Sequence, residues 1–318
     1  MLNSKIKKYK VTCPHDCPDT CSLEVTVDTK TKKAIKLIGD KTHPITKGFL
    51  CNKVNHYLDL VYNKNRVLYP YVRVGPKGQK GKLKQVSWDF ALKTITKKLK
   101  AIEKEYGAEA IQPYSYSGTL GMLGYWGMSE RFWNKMGAAR LGRTICIAAA
   151  STAGIYTDGA ACGPAIDEVP NNDLIILWGT NIVSTHVHMV PFVEEAKKKG
   201  AKIICIDPRE TRTAALSDWH IQPKPGTDAA LALGMMNEIV KNKKHDLAFL
   251  KKHTNGYEKF LDKILPKYTL DKVSRITGIK KADIKPLADE YGSTKRTYIR
   301  PNYGLNRHRN GGMMVRSI

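Results

Sequence analysis

Apolar and polar residues alternate from Ser22 to Asp28, with Leu23, Val25 and Val27 on one face. A second short run spans Ala34–Ile38, and the two together predict a β-hairpin. A loop with Pro44 and Gly48 leads to Cys51, and Asn52–Tyr62 has helical composition. Residues 63–85 carry Pro70, Gly75, Pro76, Gly78 and Gly81, which predicts an irregular linker. From Ser87 the period changes. Ser87 can cap a helix running to about Tyr106, with Trp88, Ala91, Leu92, Ile95, Leu99 and Ile102 on one face. Continuous apolar runs then alternate with helical ones. Strands are expected at Ala110–Tyr114, Thr144–Ala148, Asp173–Trp178, Lys202–Ile206 and Thr297–Pro301. Helices are expected at Tyr125–Met136, Val190–Lys199 and Asp228–Val240, with two or three more across 246–291. Apolar strands separated by helices imply an α/β fold whose parallel sheet is covered on both faces.

Composition narrows the setting. The chain has 318 residues, 42% of them apolar, enough for a substantial core. No stretch approaches the ~18 apolar residues of a membrane span. The basic start MLNSKIKKYK has no apolar segment behind it, so a cytoplasmic location without membrane insertion is expected. The formal net charge of +24 taken alone points to nucleic acid. The basic residues are mostly lysines spread along the chain, as at Lys97–Lys104 and Lys197–Lys202, which fits a solvated surface and no nucleic-acid partner. An anionic cofactor or an acidic partner segment accounts for part of the excess.

Four of the seven cysteines fall in the first 51 residues, spaced C-x3-C-x3-C-x29-C at Cys13, Cys17, Cys21 and Cys51. Three thiolates on one tight loop with a distant fourth is an iron–sulfur arrangement. Structural zinc favours two separate pairs of ligands, and here Cys51 stands alone. The layout therefore favours a [4Fe–4S] cluster, with a zinc-bearing nucleic-acid binder as the competing reading. His15 is either a further ligand or a solvent-facing loop residue. Lys53 places a cation two residues after Cys51. Cys146, Cys162 and Cys205 are scattered, and Cys205 reads as core.

Two expected strands end in polar loops, Gly179-Thr180-Asn181 and Asp207-Pro208-Arg209 followed by Thr211. Ligands of open α/β sheets sit at carboxyl strand ends, where glycine admits a phosphate and an acidic residue suits a ribose or base. No G-x-G-x-x-G occurs, which argues against an ordinary NAD site. Pro225-Gly226-Thr227-Asp228 precedes a helix, with Asp228 as its cap, a base contact, or both.

Together these features resemble the molybdopterin-dependent oxidoreductases of the dimethyl sulfoxide reductase and formate dehydrogenase type. The Cys13–Cys21 loop with Gly48-Phe49-Leu50-Cys51 is similar to the family's N-terminal [4Fe–4S] domain. Arg66-Val67-Leu68-Tyr69-Pro70 and Val86-Ser87-Trp88-Asp89 are similar to the segment that follows. Trp178-Gly179-Thr180-Asn181, Ile206-Asp207-Pro208-Arg209 and Pro225-Gly226-Thr227-Asp228 are similar to its dinucleotide-binding motifs. The resemblance implies an iron–sulfur domain over residues 1–62 and Rossmann-like α/β domains over 63–318. It also implies bis(molybdopterin guanine dinucleotide) holding molybdenum or tungsten, with two-electron chemistry on a small redox substrate. Lys53 matches the cation between cluster and pterin. Cys146 falls about where the family places a protein ligand to the metal; a buried strand cysteine is the other reading, and Ser151 the nearby alternative. His186 and His188 face the pterin or substrate, or are ordinary loop histidines. Full-length members run on to a further C-terminal domain. The resemblance thus implies an N-terminal portion, with a separate C-terminal half and an electron-transfer subunit as partners. The alternatives are a non-catalytic electron-transfer module or an inactive gene fragment.

Overall fold

The computed structural model describes residues 6–78, 81–116, 118, 127–161 and 163–318. Cys162 and the first two residues of the expected helix Tyr125–Met136 lie outside them. The chain's contacts gather into two compact units, residues 1–143 and 144–318.

The first unit opens with a three-stranded antiparallel sheet of order β1-β2-β3, made by β1 (Ile6–Thr12), β2 (Ser22–Asp28) and β3 (Lys33–Gly39). The hairpin is the expected one; β1 was not foreseen, because its three lysines break the apolar pattern. Asn52–Tyr62 resolves into two short helices, α1 (Asn52–Asn55) and α2 (Tyr57–Val61). The expected linker contains an antiparallel pair, β4 (Tyr71–Arg73) and β5 (Leu83–Gln85). Helix α3 (Trp88–Tyr106) begins where the sequence places it. Ser87 Oγ accepts from Phe90 N at 3.1 Å, satisfying one of the free N–H groups of the first turn. Ala110–Tyr114 is not a strand. A 3-10 turn over Ala108–Ala110 leads into extended chain whose Pro113 cannot donate to a ladder. Helix α4 spans Met128–Met136.

The second unit is built on a four-stranded parallel sheet of order β8-β7-β6-β9: β6 (Leu174–Trp178), β7 (Lys202–Ile206), β8 (Trp219–Ile221) and β9 (Thr297–Pro301). Every residue of β6 is buried, as expected of a central strand covered on both faces. The second expected strand at Thr144–Ala148 is also absent. Those residues form a turn that feeds α5 (Ala148–Asp158), and Ile145 and Ile147 are exposed. Short α6 (Ile182–Thr185) and α7 (Val190–Lys198) connect β6 to β7, and α8 (Arg212–Leu216) connects β7 to β8.

After β8 come α9 (Asp228–Lys241), α10 (Leu247–His253), α11 (Tyr257–Lys263), α12 (Leu270–Thr277) and α13 (Lys281–Ser293). Short α14 (Tyr303–Asn306) and α15 (Gly311–Arg316) follow β9. One core joins Leu174, Ile176, Ile204 and Ile206 of the sheet to Leu231 and Met235 of α9, Val273 of α12 and Leu287 of α13.

Helix α9 approaches α12 through Gly234. A Cβ there would lie 2.6 Å from Val273 Cγ2 and 3.0 Å from Cγ1. Gly234→Ala gains about 1 kcal/mol of helix propensity, but overpacking against Val273 costs about 1–3 kcal/mol. The expected result is a lower thermal midpoint. Combining it with Val273→Ala should destabilise less than the sum of the two single changes, measured as a double-mutant cycle.

Candidate functional site

In the first unit, Cys13–Cys21 is the turn between β1 and β2. Cys13 N donates to Cys21 O at 2.9 Å and closes it. Asp40, after β3, ties down the same end. It accepts from Ser22 Oγ at 3.1 Å and pairs with Lys10 at 3.0 Å. Donors from Thr42, joined by Lys10, hold its carboxyl well below the usual carboxylate range. The chain then doubles back. A Cβ on Gly39 would collide with the Gly48 carbonyl, and Gly48 itself has φ +83°. This return brings Cys51 to the N-cap of α1, where its carbonyl accepts from Val54 N and Asn55 N.

The four cysteines meet here. Cys13 and Cys21 are buried with Leu23, Leu50 and Val54, and Cys51 packs against them. Burial pushes the Cys13 thiol up. The His15 N–H works the other way, Cys21 and Cys51 push it further up, and Lys53 lowers it. Burial raises Cys17 too. The Asp19 N–H opposes this, and Asp19, Cys21 and Cys13 add to the rise. The thiols thus lie within each other's electrostatic reach, and Lys53 within reach of Cys13. His15 is half-buried and edge-on to Tyr57. Among the described residues no three His, Cys, Asp or Glu side chains converge on a single-ion site. A [4Fe–4S] cluster does not require that, since each thiolate bonds a different iron. Four cysteines in one half-buried pocket fit it.

In the second unit, parallel pairing delivers the loops after β6, β7, β8 and β9 to one sheet edge. Gly179 takes φ +61° and its carbonyl accepts from Gly304 N at 3.1 Å. A Cβ there would press on Leu305, 3.1 Å from its Cγ. Thr180 is buried, and its hydroxyl accepts from Asn302 Nδ2 at 3.1 Å. Asn181 Oδ1 accepts from Thr213 Oγ1 at 2.8 Å. These side chains brace the loop. Asp207 turns the chain by accepting from Arg209 N at 2.8 Å, and its own carbonyl meets His220 Nε2 at 2.8 Å. Pro208 and Arg209 are exposed, and Thr211 caps α8 through Ala214 N. A Cβ on Gly226 would lie 3.3 Å from His308 Nδ1, and Thr227 Oγ1 donates to Lys224 O.

Asp228 is the first residue of α9, and Thr227 holds the cap position expected of it. It is buried and accepts from Trp178 Nε1 at 2.8 Å. Burial raises its pKa above the ordinary aspartate value, while Trp178 and the charge of His308 oppose the rise.

Cys146 sits on the turn before α5 with φ +52°, a conformation a non-glycine residue rarely adopts. Its carbonyl accepts from Asn306 Nδ2 at 2.6 Å, and Arg307 places a guanidinium nitrogen 3.6 Å from its sulfur. Asn306 is buried, and a Cβ on Gly311 would clash with its carbonyl. Asn306 Oδ1 and Arg300 Nε are buried without a hydrogen-bond partner among the described residues. Both lie in β9 and the segment after it, so a polar ligand at this edge fits them. Asn306 and Arg307 escaped the sequence reading, although the rule that singled out the loops after β6 and β7 applies equally after β9. Ser151 lies within α5. His186 and His188 are buried rather than loop-exposed. Cys205 is core, its thiol pushed up to about 12 by burial and then by Asp207.

Residues 6–63 match the family model described as the molybdopterin oxidoreductase Fe4S4 domain, and residues 66–318 match molybdopterin oxidoreductase. The chain is 43% identical over 310 residues to probable oxidoreductase YoaE of Bacillus subtilis, covering 98% of this chain and 45% of the relative. It is 32% identical over 324 residues to formate dehydrogenase H of Escherichia coli, covering 98% and 44%. The solved structure of acetylene hydratase from Pelobacter acetylenicus superposes with a TM-score of 0.79 at 26% identity, covering 97% of this chain and 42% of that one. The chain therefore spans less than half the length of these relatives. The two family models indicate a [4Fe–4S] cluster and a molybdopterin cofactor of molybdenum or tungsten. They decide against the zinc-bearing nucleic-acid binder.

Asp228 generates a pH prediction. With its folded pKa raised, its stabilising contribution is full below the unfolded pKa and is lost as pH rises through the folded value. Asp228→Asn keeps an acceptor for Trp178 and removes the titration. Its stability relative to the parent should rise from acid to neutral pH in denaturant titrations. A pH-independent difference contradicts the assignment.

Proposed function

The chain belongs to the molybdopterin oxidoreductase family, and on that premise we propose that it is the N-terminal part of an enzyme carrying out two-electron chemistry on a small redox substrate. The observation that carries this reading is the sheet edge, where four strand-end loops and Cys146 come together in one unit. When bound, the metal supplies the two-electron step, and the cluster passes electrons one at a time.

The chain's own residues divide the work. Cys13, Cys17, Cys21 and Cys51 hold the cluster in the iron–sulfur domain, residues 1–62. Lys53 offsets its negative charge and stands on the electron route towards the pterin. Over residues 63–318, Gly179, Thr180 and Asn181 shape one rim for bis(molybdopterin guanine dinucleotide). Asp207, Pro208, Arg209 and Thr211 shape a second rim, and Gly226, Thr227 and Asp228 a third. Gly179 and Gly226 keep the backbone open to a phosphate or base. Asp228 is held by Trp178 with one carboxylate edge fixed. Cys146 offers a soft thiolate to the metal, aimed by a backbone that Asn306 clamps. A cytoplasmic enzyme completed by a separate C-terminal half and an electron-transfer subunit accords with this reading. A non-catalytic iron–sulfur module or an inactive fragment is the second reading, favoured by a span of less than half the relatives' length.

Two substitutions separate these readings. Cys51→Ala should abolish the paramagnetic signal of the reduced cluster, and a retained signal contradicts the ligand set. Cys146→Ser should leave that signal unchanged and lower turnover of the assembled enzyme at least tenfold. A tenfold loss corresponds to about 1.4 kcal/mol in the barrier. Unaltered turnover makes Cys146 structural.

A further inference from the structure

Between residues 64 and 143, Ile111 alone among the described residues is buried. A segment of that length with one buried apolar side chain cannot support itself, because helices and hairpins draw their stability from covered apolar faces. The deficit concentrates on α3. Its apolar residues Trp88, Leu92, Ile95, Leu99, Ile102 and Tyr106 recur at alternating intervals of four and three. Trp88, Leu92 and Ile95 are 60%, 56% and 54% exposed. Leu83 on β5 and Phe132 on α4 are exposed as well.

We propose that this stripe of α3 is the seat of a helix from the part of the family's length that this sequence does not contain, a helix with an apolar seam and acidic flanks. Three observations select that occupant. The four-three spacing makes a narrow seam, which is the geometry of helix packed on helix. A helix lying in a lipid surface presents a broad apolar face instead. Lysines at 93, 97, 98, 100 and 104 accompany the seam, and the chain carries a net charge of +24. A second copy pairing through this stripe would set lysines against lysines, whereas an acid-flanked helix meets them with opposite charge. Finally, the relatives that match 98% of this chain carry more than half their length beyond it.

The test uses the 318-residue chain with the portion of the Bacillus subtilis relative outside the aligned region, co-expressed as a separate polypeptide. Light scattering should find a one-to-one complex at micromolar concentrations. Hydrogen exchange across residues 88–106 should slow by roughly tenfold or more in the complex. Leu92→Glu with Ile95→Glu should abolish complex and protection. These exposed positions should leave the exchange of β6 and β7 unchanged, which shows that the variant is folded. Absence of a complex overturns the proposal, as does a complex that leaves α3 exchange unaltered. Equal protection from self-association, or from vesicles of anionic phospholipid, overturns it too. No cofactor enters the readout, so failure here leaves the metal-site reading untouched.

Discussion

Parallel pairing sends every strand of a sheet the same way, so all their carboxyl ends emerge at one edge. In this chain β7 and β9 flank β6, and β8 extends the sheet beyond β7. The burial of all five residues of β6 fixes that arrangement, since a one-residue slip would change the packing of each side chain. Four loops distant in sequence are thereby delivered together. The braces between them follow from that delivery. Gly304 bonds to Gly179, Asn302 to Thr180, and Trp178 to Asp228. Cys146 joins them through Asn306, a residue 160 positions away. The strained backbone at Cys146 persists because the segment after β9 holds it from the other side.

The cysteine pocket rests on a different constraint. Four thiolates cannot share a partly buried site without cations among them, because burial and mutual repulsion both favour the neutral thiol. Iron ions supply the main compensation, and Lys53 adds to it. The turn geometry serves the same end. Left-handed backbone at Thr20, Lys47 and Gly48 lets two short loops return to one place.

Much of this could be read from the sequence, for physical reasons. β6, β7 and β9 are continuous apolar or β-branched runs, and the Ser87 cap announces α3. The cysteine spacing and the loops after β6 and β7 carry chemistry in their composition. Other elements were hidden. Thr144–Ala148 alternates like a strand, yet Ile145 and Ile147 are exposed and the residue between them turns left-handed. Strand β1 is edge-lying and lysine-rich, so pairing with β2 defines it rather than burial. The β4–β5 pair hides among prolines and glycines. Asn306 and Arg307 have no local signature, because their role arises only when β9 lies beside β6.

The central claim is that one chain combines a [4Fe–4S] pocket with a molybdopterin edge. Metal and acid-labile sulfide analysis of the anaerobically purified protein tests it most directly. The account predicts iron and sulfide in equal amounts, at one [4Fe–4S] cluster per chain, with molybdenum or tungsten once the full enzyme is assembled. Zinc bound at the four cysteines in place of iron and sulfide would contradict it.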